Sequence, residues 1–235
     1  NKKVMVQDMR IERNMEKSTI KSDWENLYKS GKQINEWPWS DLITFFSRYI
    51  NLKKKNCVLE LGCGVGNNVP FFERNKFKYY GIDASKRALT IFKKKFPHLR
   101  HNVLHADFRE SFIFKEKFDI IFDRSSITQN SKNDISKVVK FISHSLVKNG
   151  IFIGIDWYSI NSFVFKKEKK DRGTTLKNIK GKYFQGIGVA NFSSFNQIKK
   201  FFKDFTFLHL EEKIINQKIK NNYKIAFWNF VVKKK

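Results

Sequence analysis

Three glycines stand at alternate positions, Gly62, Gly64 and Gly66, within the stretch CVLELGCGVGNNVPFF. The whole chain of 235 residues holds only 11. A glycine turn after a buried strand and before a helix is a ligand cradle in doubly wound folds. Glycine reaches positive φ and lets the backbone approach a ligand closely. The dinucleotide fingerprint GxGxxG would put its third glycine where Asn67 stands, which disfavours a pyrophosphate. Glu60, in the strand before the turn, suits a cationic ligand better than a phosphate. Asp83 follows about 20 residues on, in YYGIDAS, where an acid accepts hydrogen bonds from both ribose hydroxyls. In HADF, Asp107 is placed to take the exocyclic amine of adenine and Phe108 to cover its ring face. A glycine turn, a ribose acid and an adenine acid on successive strand ends describe an adenosine site without a phosphate feature.

The elements that must position these residues follow from periodicity. CVLELG, YYGIDAS, HNVLHADF, FDIIFDRS and GIFIGIDW read as strands. Between them, NVPFFERN starts a helix, SKRALTIFKKKF is helical, and NDISKVVKFISHSLVKNG reads as a capped amphipathic helix closed by Gly150. Upstream, SDWENLYKSG is a helix with Ser22 as cap and Gly31 as stop, and Ser40 caps a second one through EWPWSDLITFFSRYI. Strands alternating with helices, with apolar strand centres, imply a parallel sheet covered on both faces. After Trp157 the rhythm changes. Residues 159–191 are charged and irregular, SSFNQIKKFFKDF is helical, and FTFLHLEEKII with NYKIAFWNFVV forms a terminal antiparallel hairpin.

Bulk composition narrows the class. Apolar residues make up 41% of the chain, with 25 Phe, enough for a buried core. No apolar run reaches the length of a membrane span, and the charged first twenty residues lack a leader's apolar stretch. Cys57 and Cys63 fit neither CxxC nor a zinc site, so no metal is expected and a reducing cytoplasm fits. The net charge of +25 raises nucleic acid, an acidic membrane face or an anionic substrate. The lysine runs are scattered along the chain, and Lys, Asn, Ile and Phe are abundant together. That joint bias reads as a solvated surface shaped by codon composition.

The ordered set VLELGCGVGNN, YYGIDAS, HADF and FDIIFDRSSI resembles the four motifs of the class I S-adenosylmethionine-dependent methyltransferases, over roughly residues 40–157 with the hairpin also matching. The resemblance implies an α/β fold, a doubly wound, mostly parallel seven-stranded sheet with helices on both faces and a C-terminal antiparallel hairpin. It implies S-adenosylmethionine as cofactor, with Glu60, Gly62, Gly64 and Gly66 holding the methionine portion, Asp83 the ribose, and Asp107 with Phe108 the adenine. Cys63, Asn67, Asn68, Ala84 and Asp123 complete the expected cofactor contacts.

Methyl transfer is an in-line displacement from a sulfonium, so the protein must mainly align the acceptor and keep it dry. Asp123 is expected as a base or a neighbour of the sulfonium, Arg124 as a clamp for an anionic acceptor, and Asp156 as a third catalytic candidate. His105 reads as a hydrogen-bonded structural residue, with a general base as the less favoured alternative. The turn DRSSITQN lacks the Asn/Asp-Pro-Pro-aromatic motif of nucleobase amine methyltransferases, and neither cysteine lies where a cytosine-C5 nucleophile would. Trp24, Tyr28, Trp37, Trp39, Trp157 and Tyr158 are candidates for walling the acceptor, with plain packing as the alternative for the four N-terminal aromatics. Residues 1–39 are expected to form a helical arm or lid, residues 40–235 the methyltransferase domain, and its insertion 159–191 a substrate lid. A looser likeness of WENLY, WPW, DRSSITQN and GIDWYS to bacterial surface-sugar methyltransferases favours a nucleotide-activated or amino-modified sugar. An RNA methyltransferase using the basic surface is the less favoured reading, a non-catalytic nucleoside-binding protein a third, and a NAD-linked reductase ranks last.

Overall fold

The structure is a computed structural model that describes residues 19–31, 34–110, 114, 116–168, 173–179, 184, 187–218 and 223–235. The expected arm over residues 1–18 and the charged residues 169–172 lie outside these. Seven strands form one sheet in the order β3-β2-β1-β4-β5-β9-β8. They are β1 (Cys57–Leu61), β2 (Lys78–Asp83), β3 (Val103–His105), β4 (Phe118–Arg124), β5 (Leu146–Tyr158), β8 (Phe205–Gln217) and β9 (Tyr223–Lys234). The first five are parallel, and β9 runs antiparallel to both β5 and β8. This is the expected doubly wound architecture with its terminal hairpin.

Alternation along the strands builds two cores. Leu59, Leu61, Tyr80 and Ile82 face one side, under α5 (Lys132–Ser145) and α7 (Phe195–Phe201). Val58, Tyr79, Ile120 and Phe122 face the other, under α2 (Ser40–Tyr49), α3 (Val69–Arg74) and α4 (Lys86–Lys95). Phe46 of α2 meets Phe72 and Phe122 edge-on at 5.1 and 5.5 Å between ring centroids. Each such buried ring contributes roughly 1.5–3 kcal/mol. The first helix, α1 (Thr19–Lys29), lies against α4 at the cavity end of the sheet.

Several local expectations are corrected. The helix before β5 ends at Ser145, not at Gly150, because Leu146 pairs with Phe118 and draws the segment into β5. Asn149, at φ 63°, turns the chain inside that strand. Ser40 is the first residue of α2 rather than its cap. Trp39 takes the cap position and donates its N–H to Asn68 Oδ1 at 3.3 Å. Ser22 falls inside α1. The described part of the segment 159–191 holds more regular structure than expected. It carries α6 (Phe163–Glu168) and an antiparallel pair, β6 (Thr175–Lys177) with β7 (Val189–Asn191). Phe165, Phe184 and Phe192 pack with Tyr158 and Phe227 in a third apolar cluster, seating this segment on the hairpin. No helix among the described residues is long and apolar enough to cross a membrane.

Candidate active site

The carboxyl ends of β1, β2 and β4 converge on a cavity of about 600 Å³. The glycine turn forms its floor. Gly62 and Cys63 both donate to Ile82 O, at 2.8 and 3.0 Å, which pins the turn to the end of β2. Two glycines serve different ends. A Cβ on Gly64 would point at the Tyr28 hydroxyl, inside the cavity, whereas one on Gly66 would strike Phe92 at 2.7 Å. Gly66 therefore lets α4 close on the turn and does not line the cavity.

Asp83 locks the turn from the side. Its Oδ2 accepts from Gly64 N and its Oδ1 from Ser85 N, both at 2.8 Å. Burial pushes its carboxyl up to about 6, against the pull of these two bonds. Each oxygen keeps a second lone pair, so ribose hydroxyls remain acceptable partners. Glu60 accepts from Asn68 Nδ2 at 2.7 Å and from the Tyr79 hydroxyl at 2.6 Å. Burial raises it to about 8 despite both donors, and Asp83 and Asp123 add to the rise. A cation beside Glu60 would restore its charge, so this end of the cavity fits a cationic ligand. Asp107 has a partner that local spacing does not announce: Arg109 Nε donates to both of its oxygens, at 2.8 and 2.9 Å. Phe108 lines the wall beside it.

The expected acceptor residues divide. Asp123 is completely buried and does not line the cavity. Its Oδ1 accepts from Ser126 N at 2.9 Å and Ile127 N at 3.0 Å, so it shapes the turn after β4. Burial raises it to about 7. A base must reach its substrate, and this carboxylate does not. Trp157 is likewise buried in the core, against Phe202 and Phe230. Trp37 is 78% exposed and offers only its carbonyl to Asn67 Nδ2, at 3.3 Å.

Arg124, Asp156, Tyr158, Trp24, Tyr28 and Trp39 do line the cavity. The Arg124 guanidinium stacks 3.5 Å from the Trp39 ring centroid and donates to Asp156 at 2.8 Å. Asp156 also pairs with Lys213 at 2.6 Å, and Lys213 reaches Asp41 of α2. This charge chain joins α2, β4, β5 and β8, and it engages Arg124 before any acceptor arrives. Trp24 Nε1 donates to Gln129 Oε1 at 3.0 Å, and Gln129 Nε2 donates to the Tyr158 hydroxyl at 3.3 Å. Gln129, Asn130, Arg109, Tyr223 and Phe227 line the cavity without a signal of their own in the sequence. No spacing rule links them to the glycine turn. Only the alternation of the hairpin strand could have suggested that Phe227 faces inward.

Residues 58–150 match the model of a methyltransferase domain family. A curated protein of Alkaliphilus oremlandii, described as an uncharacterized methyltransferase, is 26% identical over 141 residues, which is 57% of this chain and 63% of that relative. Among solved structures, a methyltransferase of Methanosarcina mazei dependent on S-adenosylmethionine aligns with TM-score 0.66 at 13% identity, covering 84% of this chain and 98% of its own. The 1,6-didemethyltoxoflavin-N1-methyltransferase of Burkholderia thailandensis, solved with S-adenosylhomocysteine, also reaches 0.66 at 13% identity, covering 91% and 86%. A Clostridium acetobutylicum methyltransferase reaches 0.57 at 19% identity, covering 90% and 96%. Residues 58–150 therefore form a methyltransferase domain, and the fold is the one shared by these solved S-adenosylmethionine-dependent methyltransferases.

Proposed function

We propose that this protein transfers a methyl group to a nitrogen or oxygen of a small polar metabolite. The observation that carries the reading is the cavity. Glu60, Gly64 and Asp83 line it together with Trp39, Arg124, Tyr158 and Phe227, and we assign the first three to the cofactor lobe and the aromatic residues with Arg124 to the acceptor lobe. S-adenosylmethionine supplies the electrophilic methyl. Glu60 balances the positive charge of its methionine portion, and Asp83 holds the ribose. The aromatic lobe aligns the acceptor and excludes water, which is most of what this displacement needs. We assign α1 and the segment 159–191 to the lid, because the Trp24–Gln129–Tyr158 chain ties α1 to β5 and Ile187 of the segment lines the cavity.

The charges narrow the acceptor. Four carboxyls and two guanidiniums line the cavity: Glu60, Asp83, Asp107 and Asp156 against Arg109 and Arg124. Both arginines are already paired with an acid. An anionic acceptor, such as a nucleotide-activated sugar, gains little there. A neutral or amine-bearing acceptor fits better, with an amino sugar the first to try. Asp156, engaged by Arg124 and Lys213, makes a poor general base, which favours an amine that sheds its proton to solvent over a hydroxyl. A cytoplasmic location fits this substrate class.

Titration calorimetry with S-adenosylmethionine, S-adenosylhomocysteine and NADH tests the cofactor half. Binding of both sulfur compounds and not of NADH is expected. Mass spectrometry of amino sugars, then sugar nucleotides, then RNA incubated with S-adenosylmethionine tests the acceptor. Methylated RNA alone would overturn the small-molecule reading. Tight cofactor binding with no product from any metabolite class would favour the non-catalytic alternative.

A further inference from the structure

Several of the lysine runs that are scattered in sequence are gathered in space. Parallel strands begin at the end of the sheet opposite the cavity, and the helices that return to them end there. The triplet Lys53–Lys55 precedes β1, Lys93–Lys95 closes α4, and Lys233–Lys235 ends β9. Lys78 opens β2, Arg100 lies just before β3, and Lys117 precedes β4. Lys148 stands in the first turn of β5 and Lys203 leads into β8. All seven strands therefore carry a cation at this end, and all but Lys233 and Lys234 are exposed. With strands about 4.8 Å apart, the row spans roughly 30 Å.

Acids are scarce along it. Among the described residues only Glu73, Glu116, Asp119 and Asp204 lie at this end, and three are engaged. Glu73 contacts His98, Glu116 pairs with Lys78 and Tyr80, and Asp119 pairs with Lys54 and Cys57 N. The cavity end, by contrast, is lined by more acids than bases.

We propose that this end of the sheet binds the phosphate backbone of a nucleic acid strand, and that the bound strand is not the methyl acceptor. A one-strand-wide row of regularly spaced cations matches a linear polyanion. The row is almost all lysine and, among the described residues, bears no exposed large apolar side chain, which suits phosphate contact without sequence readout. A membrane-surface anchor would add apolar residues that insert, and the exposed large apolar residues lie elsewhere. Strands of five to seven residues, the lengths of β1, β2 and β4, separate the row from the cavity by ~20 Å, so a strand held here does not reach the methyl donor site.

The test uses fluorescence anisotropy of the full chain with a uridine RNA of about 20 nucleotides, from roughly 50 to 200 mM salt. One variant carries Lys53→Glu, Lys55→Glu, Lys93→Glu, Lys94→Glu and Lys148→Glu. A second carries the same charge change away from this end: Lys86→Glu, Arg87→Glu, Lys132→Glu, Lys137→Glu and Lys218→Glu. The first should weaken RNA binding about tenfold or more and flatten the log–log salt slope by about 0.7 for each phosphate no longer neutralised. The second should weaken it much less. S-adenosylhomocysteine binding, unchanged in both, reports the fold and the cofactor site independently. Should the first variant not fold, the same five positions as Gln give the readout. Equal losses in both variants, no RNA binding by the unaltered chain, or binding to phosphatidylserine vesicles instead of RNA would each overturn the proposal.

Discussion

The Tyr28 hydroxyl stands 2.6 Å from the point that a Cβ on Gly64 would occupy, and the next atom of the ring is 3.6 Å from it. Tyr28 is buried, and burial, followed by the nearby Asp83, Cys63 and Glu60, pushes its phenol well above its ordinary range. It therefore stays a neutral hydroxyl over the glycine turn. Gly64 also holds φ at 54°, where an L-residue pays about 1–2 kcal/mol. Gly64→Ala should thus cost stability by strain and by collision, and cofactor affinity should fall at least about tenfold, the equivalent of 1.4 kcal/mol. Adding Tyr28→Phe removes the colliding atom but not the strain. Denaturant unfolding of the four proteins should show a double variant less destabilised than the sum of the singles. Strict additivity would mean that the two residues do not meet.

Three buried carboxyls make stability fall with rising pH. Glu60 is raised to about 8, Asp123 to about 7 and Asp83 to about 6, each chiefly by burial. The unfolded chain loses these protons near pH 4, while the folded chain keeps them longer. Between those limits the folded state binds more protons, so each unit rise in pH removes up to about 1.4 kcal/mol per such group. The unfolding midpoint should be higher at pH 5 than at pH 8, and Glu60→Gln should flatten that dependence. A cationic cofactor favours ionised Glu60, so its binding near pH 7 should release a proton. Calorimetry in buffers of different ionisation enthalpy reads that proton directly, and Glu60→Gln should abolish it. Proton uptake on binding would contradict the placement of the cation beside Glu60.

Asp156 sits between Arg124 at 2.8 Å and Lys213 at 2.6 Å, with φ at 55°. Asn tolerates that backbone conformation nearly as well as Asp, whereas Ala does not. Asp156→Asn therefore isolates the charge. It takes the carboxylate from Arg124 and leaves Lys213 with Asp41 alone; their side chains are 27% and 30% exposed, so the loss is modest, roughly 1–3 kcal/mol by chemical denaturation. Asp156→Ala should lose more, by the added strain. The Asn variant should raise KM for the acceptor more than it changes cofactor affinity, because freed Arg124 swings from its place over Trp39. Equal stability of the Asn and Ala variants would remove the backbone argument.

The glycine-turn end of the cavity was legible because its residues lie within a few positions of successive strand ends, and strands announce themselves by apolar runs. Glu60, Asp83 and Asp107 needed only local spacing. The Arg124 side of the cavity was less legible because its geometry depends on distant pairings. Arg124 reads as a free anion clamp until Asp156 and Lys213, 32 and 89 positions away, are seen beside it. Asp123 reads as a base because it follows an apolar strand, but two backbone N–H groups of its own turn capture it. The basic row is hidden in the sequence for the same reason. Its runs are far apart along the chain, and only the topology, in which strand starts and helix ends share one end of the sheet, brings them together.

Asp83 offers a test that separates the two halves of the cofactor lobe. Its two oxygens accept from Gly64 N and Ser85 N. Asparagine keeps one acceptor and turns an amide N–H₂ toward the other backbone donor. A buried donor left facing a donor costs about 1–3 kcal/mol, so Asp83→Asn should loosen the turn by that amount. If Asp83 holds the ribose, the variant weakens S-adenosylmethionine, S-adenosylhomocysteine and adenosine alike, since all three share that sugar. Glu60→Gln should weaken the first two and leave adenosine unchanged, because adenosine lacks the methionine portion. Calorimetry of the three ligands against the two variants gives six comparisons. Loss of adenosine binding in Glu60→Gln, or its retention in Asp83→Asn, would reverse the orientation of the cofactor in the cavity.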